Sequence, residues 1–188
     1  MFFITAKVLG PEGFGLLKII GFVPNLTKFG NVSFSAVALR DILHIRGAGT
    51  KDDIRLVKNI AYSTDIFWNA FLALIVIFVS FCYERAEVRW GLVIASITLY
   101  LNGISRLHKV NFKIDADFSE IAKNDVIVSV LNASIVLSTI YFWGIFSPLS
   151  GAMFAALTSI CMFQKVRPLG FKFDFNFVMH VPGIYGGS

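Results

Sequence analysis

Long apolar runs separated by short polar or turn-forming stretches pattern this chain, and within each run the apolar residues are continuous rather than alternating. A helix needs roughly 20 apolar residues to cross a bilayer core, whereas a strand of a membrane barrel would alternate apolar and polar positions. The runs predict helices over about 14–39, 60–82, 90–107, 126–146 and 152–163, with partial spans at Met1–Val8 and Phe175–Ser188. The expected fold class is all-α: a polytopic transmembrane helix bundle over residues 1–188, with about five full spans plus partial spans at both ends.

The connecting stretches carry their own signals. Leu9-Gly10-Pro11-Glu12-Gly13 is turn chemistry, since proline presets one dihedral and glycine permits the others. Pro24 falls near the middle of the first span and predicts a kink there. Residues 40–58 are polar and basic, and Thr50 with Asp53 resembles a capping box that restarts a helix. Glu84 to Arg89 reads as a short loop. The polar stretch 108–125 carries Phe112, Ile114, Phe118 and Ile121, which suits an amphipathic turn in the interface. Ser147-Pro148-Leu149-Ser150-Gly151 reads as a tight turn, and residues 165–174 as a basic loop.

Composition agrees with a membrane class: the chain is 56% hydrophobic, only 15% charged, and has a mean hydropathy of +0.71. The net charge of +5 is then not a nucleic-acid footprint but a topology signal. Twelve of the seventeen Lys and Arg residues lie in the loops after the first, third and fifth spans; three (Lys7, Arg85, Arg89) lie on the other side, and Lys18 and Lys28 lie inside the first span. Loops 40–58, 108–125 and 164–174 are therefore expected in the cytoplasm, with the Gly10 turn outside. Cys82 and Cys161 then fall in opposite leaflets, too far apart for a disulfide. The Asn-x-Ser/Thr patterns at Asn25, Asn31 and Asn132 all lie within predicted spans, so no glycan is expected there.

Polar residues inside the spans are the candidates for chemistry. Lys18, Asn25, Lys28 and Ser35 follow one side of the first span. A lysine at the bilayer centre costs roughly 2.5–3.5 kcal/mol on insertion scales, so it faces a polar interior, pairs, or snorkels to the surface. Snorkelling suits Lys18, nearer the outer end; an ion pair with Asp65 on the next helix competes with a cavity role for Lys28. Asp65 and Asn69, one turn apart, fit a counter-ion site, a proton site or polar glue between helices. Asn102 and Arg106 share a face of the third span, where Arg106 by itself marks the cytoplasmic end. Asn132 suits a helix contact, and Trp68, Trp90 and Trp143 suit interfacial belts. No nucleophile–base pair, paired carboxylates or phosphate-cradling loop is visible, so no enzyme, metal or cofactor is expected, with a coupling ion left open.

The run Leu9-Gly10-Pro11-Glu12-Gly13-Phe14-Gly15, followed by an apolar helix with Phe29-Gly30-Asn31 and ending at Arg40, resembles the start of the polysaccharide biosynthesis flippases of the multidrug/oligosaccharidyl-lipid/polysaccharide exporter superfamily. Val181-Pro182-Gly183 falls where that family opens its seventh helix, with the residue order changed. The resemblance implies the N-terminal bundle of a longer two-bundle transporter, its first and last helices incomplete here. It also implies a multi-pass protein of a bacterial-type cytoplasmic (inner) membrane, with the turn motif Gly10, Pro11, Glu12, Gly13 and Gly15 on the periplasmic side. The implied function is translocation of a polyprenyl-diphosphate-linked oligosaccharide, as in lipopolysaccharide assembly. The cavity would be lined by Lys18, Asn25, Lys28, Asp65, Asn69, Asn102 and Arg106, with membrane lipid, the lipid-linked oligosaccharide and a missing C-terminal bundle or partner helices as partners. The competing expectation is a small non-catalytic membrane interaction or assembly subunit, in which the buried charges select partners.

Overall fold

The computed structural model describes residues 2–25, 51–166 and 168–169. Lys28, Ser35, Arg40, the loop residues 40–50 and the segment around Val181-Pro182-Gly183 lie outside the described residues. Five helices follow in order: α1 (Phe2–Phe22), a single 3-10 turn (Val23–Asn25), α2 (Lys51–Ser80), α3 (Ala86–Ile114), α4 (Phe118–Trp143) and α5 (Phe146–Val166). No strand occurs among the described residues. Helices α2 to α5 are each long and apolar enough to cross a membrane. The protein is thus a helical membrane bundle.

Two local readings need correction. The turn motif is narrower than expected: only Gly10 leaves helical geometry, at φ 68° and ψ 177°, and Pro11, Glu12, Gly13 and Gly15 already belong to the helix that follows. A positive φ is open to glycine because it has no Cβ, and Pro11 suits the first helical position because the N–H it lacks would be unsatisfied there anyway. At Pro24, where a kink was expected, the α-helical part has ended at Phe22 and Pro24 sits in the 3-10 turn Val23–Asn25; the residues that follow lie outside the described ones. The stretch 147–151 is helix, not turn. The chain reverses at Gly144 (φ 49°), and Pro148 lies in the first turn of α5, where a missing N–H costs nothing.

The largest correction concerns 108–125, expected as a loop and found to be helix except for Asp115–Asp117. Its polar residues find partners across helices: Lys58 Nζ donates to Asn111 Oδ1 at 2.5 Å, and Lys109 pairs with Asp125 at 2.5 Å. Its apolar residues pack inward, with Ile114 joining Ala61, Tyr62, Leu107 and Val110 in one cluster. Residues 51–58 and 164–166 are likewise helical, so the polar segments are extensions of spans more than free loops.

Short links at 81–85, 115–117 and 144–145 make α2 to α5 antiparallel neighbours. Helix α3 is the axle, packing against α2 on one side, α5 on another, and α1 with its 3-10 turn on a third, while α4 rests mainly on α5. In lipid, close packing and hydrogen bonds hold helices together, which favours small residues at contacts. Gly91, Ala95, Ser96 and Gly103 of α3 and Gly151, Ala155, Ala156 and Ser159 of α5 are buried accordingly. The main apolar core joins Ile20, Ala73, Val76, Leu92, Ala95, Leu99 and Leu149.

The two ends of the bundle differ. Glu12 pairs with Arg85 at 3.1 Å, and Gly13 packs on Ile145, so the Gly10 break shares one end with links 81–85 and 144–145. That end carries exposed Phe78, Phe81, Tyr83, Trp90, Tyr141, Phe142 and Trp143, an aromatic belt of the kind found at membrane interfaces. The opposite end, around 115–117, carries Lys58, Lys109, Lys113 and Lys123.

Candidate functional site

A cleft of about 430 Å³ opens where α1 ends, between α3 and the start of α5. Lys18, Asn25, Thr98 and Asn102 supply its polar lining, with Pro24 and Pro148 among its apolar walls. The Asn25 side-chain amide donates to the Gly21 carbonyl at 3.1 Å, which caps the end of α1 and fixes Asn25 at the cleft mouth. Thr98 Oγ1 donates to the Ile94 carbonyl at 2.8 Å, leaving its oxygen lone pairs as acceptors. Lys18 is exposed, with its ammonium 5.1 Å from the Phe14 ring centroid, one turn towards the Gly10 end. Lys18 thus lines the cleft, with its ammonium over a ring one turn nearer the Gly10 end.

Asp65, Asn69 and Arg106 form a second polar group, on the seam between α2 and α3. Asp65 is 1% exposed and Asn69 2%. Asn69 Nδ2 donates to the Asp65 carbonyl at 2.6 Å, and its amide lies in a notch over Gly103, where a Cβ would meet the Asn69 Cγ at 2.7 Å. Asn69 is thus a close helix contact. The antiparallel register that sets Asn69 opposite Gly103 brings Asp65 opposite Arg106 and Leu107. The expected Asp65–Lys28 pair involves a residue outside the described ones. Asn102, one turn from Arg106, joins the seam to the cleft.

Sequence reasoning did not find a third polar group. Ser159 Oγ donates to Asn124 Oδ1 at 2.9 Å, Asn124 Nδ2 donates to the Ser159 carbonyl at 3.3 Å, and Ser105 lies 2.7 Å from Ser159 Oγ. A hydroxyl has one proton, so with Ser159 donating to Asn124, Ser105 is the donor to Ser159. This triad ties α3, α4 and α5 together. Serines in membrane helices commonly bond back to their own backbone, as Ser96 and Ser134 do here, so their sequence positions carry no sign of such a network. The notch at Gly103 was more legible, because Gly91, Ala95 and Gly103 recur at multiples of four along one face of α3. Asn132, expected as a helix contact, lies over Gly151 of α5. Cys82 and Cys161 are both free and exposed. No group of three His, Cys, Asp or Glu able to hold a metal occurs among the described residues.

A bundle of helices long and apolar enough to span a membrane, with polar side chains buried between them, is that of a multi-pass membrane protein. The chain belongs to the polysaccharide biosynthesis protein family, whose family model matches residues 4–180. Searches of curated proteins and of solved structures gave no match.

Proposed function

We propose that this chain takes part in moving a polyprenyl-diphosphate-linked oligosaccharide across a bacterial-type cytoplasmic membrane, as the N-terminal bundle of an alternating-access transporter. The observation that carries this reading is the cleft: Lys18 of α1, Asn25 of the 3-10 turn, and Thr98 and Asn102 of α3 line one cavity of the bundle. Transporters place substrates where helices are interrupted within the membrane, and the four polar side chains of this otherwise apolar cleft gather at such an end. A lysine ammonium suits an anionic diphosphate, and amide and hydroxyl groups suit sugar hydroxyls. Membership of a polysaccharide biosynthesis family agrees with that substrate class. Alternating access needs a second bundle to rock against this one; in this reading it comes from further helices in the same chain or in a partner. The basic end around 115–117 lies in the cytoplasm and the Gly10 end outside, by the lysine and arginine bias of the sequence.

Lys18→Glu tests the reading in cells that depend on this protein for surface polysaccharide. The expected result is loss of surface polymer with accumulation of its lipid-linked precursor, while the variant still reaches the membrane. Surface polymer at wild-type levels would refute a substrate role for the cleft.

A further inference from the structure

His108 of α3 is a buried ionisable group that neither the cleft nor the α2–α3 seam uses. It is 1% exposed, and its Nδ1 has no hydrogen-bond partner. The ring stacks on Phe163 of α5, with centroids 5.9 Å apart and planes 15° from parallel, and the Phe163 ring in turn lies 5.1 Å from that of Phe112. About one turn away, Ser105 of α3 and Ser159 of α5 make the polar tie that Asn124 completes. The α3–α5 contact therefore ends in two layers: the hydroxyl and amide tie and, nearer the 115–117 link, the His108–Phe163 stack.

Among the described residues, the elements around His108 bring no carboxylate to it. At 3.6 residues per turn it lies about 140° round α3 from Gly103, which faces α2, so Lys58, Tyr62 and Asp65 are on another side of the helix. On α3 itself, Arg106 stands opposite the Asp65 turn of α2, Lys109 pairs with Asp125 of α4, and Lys113 is exposed. On α4, Asn124 is neutral and held in the tie, and Glu120 pairs with Lys123. On α5, Cys161 and Lys165, either side of Phe163, are exposed, as are Asp115 and Asp117 of the link. Helix α1 packs on α3 at Gly91, towards the other end.

We propose that His108 is a proton-operated latch between α3 and α5: its neutral ring closes the 115–117 end of their contact, and protonation releases it. A neutral imidazole carries its proton on one nitrogen, so Nδ1 can be the bare one; an imidazolium carries an N–H on both. Protonation therefore turns Nδ1 into a charged donor with no acceptor, between packed phenylalanine rings. A buried unmet donor is costly, and a charged one more so. The ring gains an acceptor by leaving Phe163, and α5 then loses its second layer of contact with α3. Histidine is the side chain whose ordinary titration falls between about pH 5 and 8, which makes the latch responsive near neutrality. It does not depend on what the cleft binds.

The test is unfolding of the full chain in mixed micelles at about pH 7.5 and about pH 5.5, either side of histidine's ordinary value of about 6.5. His44→Gln and His180→Gln are made in every chain, which leaves His108 the only histidine of the parent. His108→Phe keeps a ring against Phe163 and cannot titrate; His108→Leu, with less bulk, is read in its place if His108→Phe fails to fold. Protonation of the histidine in the unfolded chain alone changes the folded-to-unfolded ratio by on the order of tenfold between these two pH values. The parent should therefore lose up to about tenfold more of that ratio at acid pH than the variant, and the comparison cancels what the carboxylates contribute. Hydrogen exchange, corrected for its intrinsic pH dependence, should show protection falling at 159–166 in the acidified parent and not in the variant. Equal pH dependence in parent and variant, a parent more stable at acid pH, or unchanged protection at 159–166 would overturn the latch.

Discussion

Replacing Gly103 with alanine tests the packing between α2 and α3. The added Cβ would lie 2.7 Å from Asn69 Cγ, 2.8 Å from Nδ2 and 3.0 Å from Oδ1. Contacts that short require something to move. Asn69 has little freedom to do so: it is 2% exposed and its amide donates to the Asp65 carbonyl at 2.6 Å. Either α2 and α3 separate or that hydrogen bond breaks. Overpacking of this kind costs about 1–3 kcal/mol, and a lost buried hydrogen bond adds about 1 kcal/mol. Alanine returns about 1 kcal/mol through its higher helix propensity. The net is a destabilisation of about 1–3 kcal/mol. Unfolding of the purified chain in mixed micelles, followed by the fluorescence of its three tryptophans, measures this. Gly15→Ala is the control, since nothing lies within 4 Å of a Cβ there; it should be neutral or stabilising. The double variant N69A/G103A relieves the clash and should recover most of the loss. A Gly103→Ala chain as stable as wild type, or a double variant no better than the single, would refute the notch.

Ser159→Ala should cost about 1–3 kcal/mol in the same unfolding experiment, because it leaves Ser105 and Asn124 short of a buried partner; Cys161→Ala, on an exposed surface two residues away, should change little. Glu12→Gln should shift stability by no more than about 1 kcal/mol, since its pair with Arg85 is 64% and 78% exposed; a larger loss would show that the Gly10 end is held by more than this contact. A membrane-impermeant maleimide added to intact cells should label Cys82, at the Gly10 end, and spare Cys161 until the membrane is opened; the reverse pattern would invert the proposed orientation.

Apolar run length made the spans legible in the sequence, and their ends were not. Helices α2 and α3 were placed by continuous apolar residues, yet each extends further, because Lys58, Lys109 and Asn111 find partners across helices rather than water. The start of α5 was misread for a different reason: Ser, Pro and Gly at 147–151 have the composition of a turn, but proline is also at home in a first helical turn. The reversal needs only Gly144. Of the candidate site, periodicity placed Lys18 and Asn25 on one side of the first span, and Asn102 with Arg106 on one face of α3. It could not show that the first group and Asn102 share a cavity, since that depends on where α1 breaks and on how α5 packs behind it. What stands opposite Asp65 on α3 depends on the α2–α3 register, which Asn69 and Gly103 set through shape, not charge.

The central claim is tested most directly in proteoliposomes. The protein, expressed from its whole reading frame, is reconstituted with a fluorescent polyprenyl-diphosphate sugar confined at the start to the inner leaflet, and an impermeant quencher reports its arrival outside. The account predicts arrival well above that in protein-free vesicles, reduced by Lys18→Glu. Arrival no faster than in protein-free vesicles, or a rate that Lys18→Glu leaves unchanged, would contradict it.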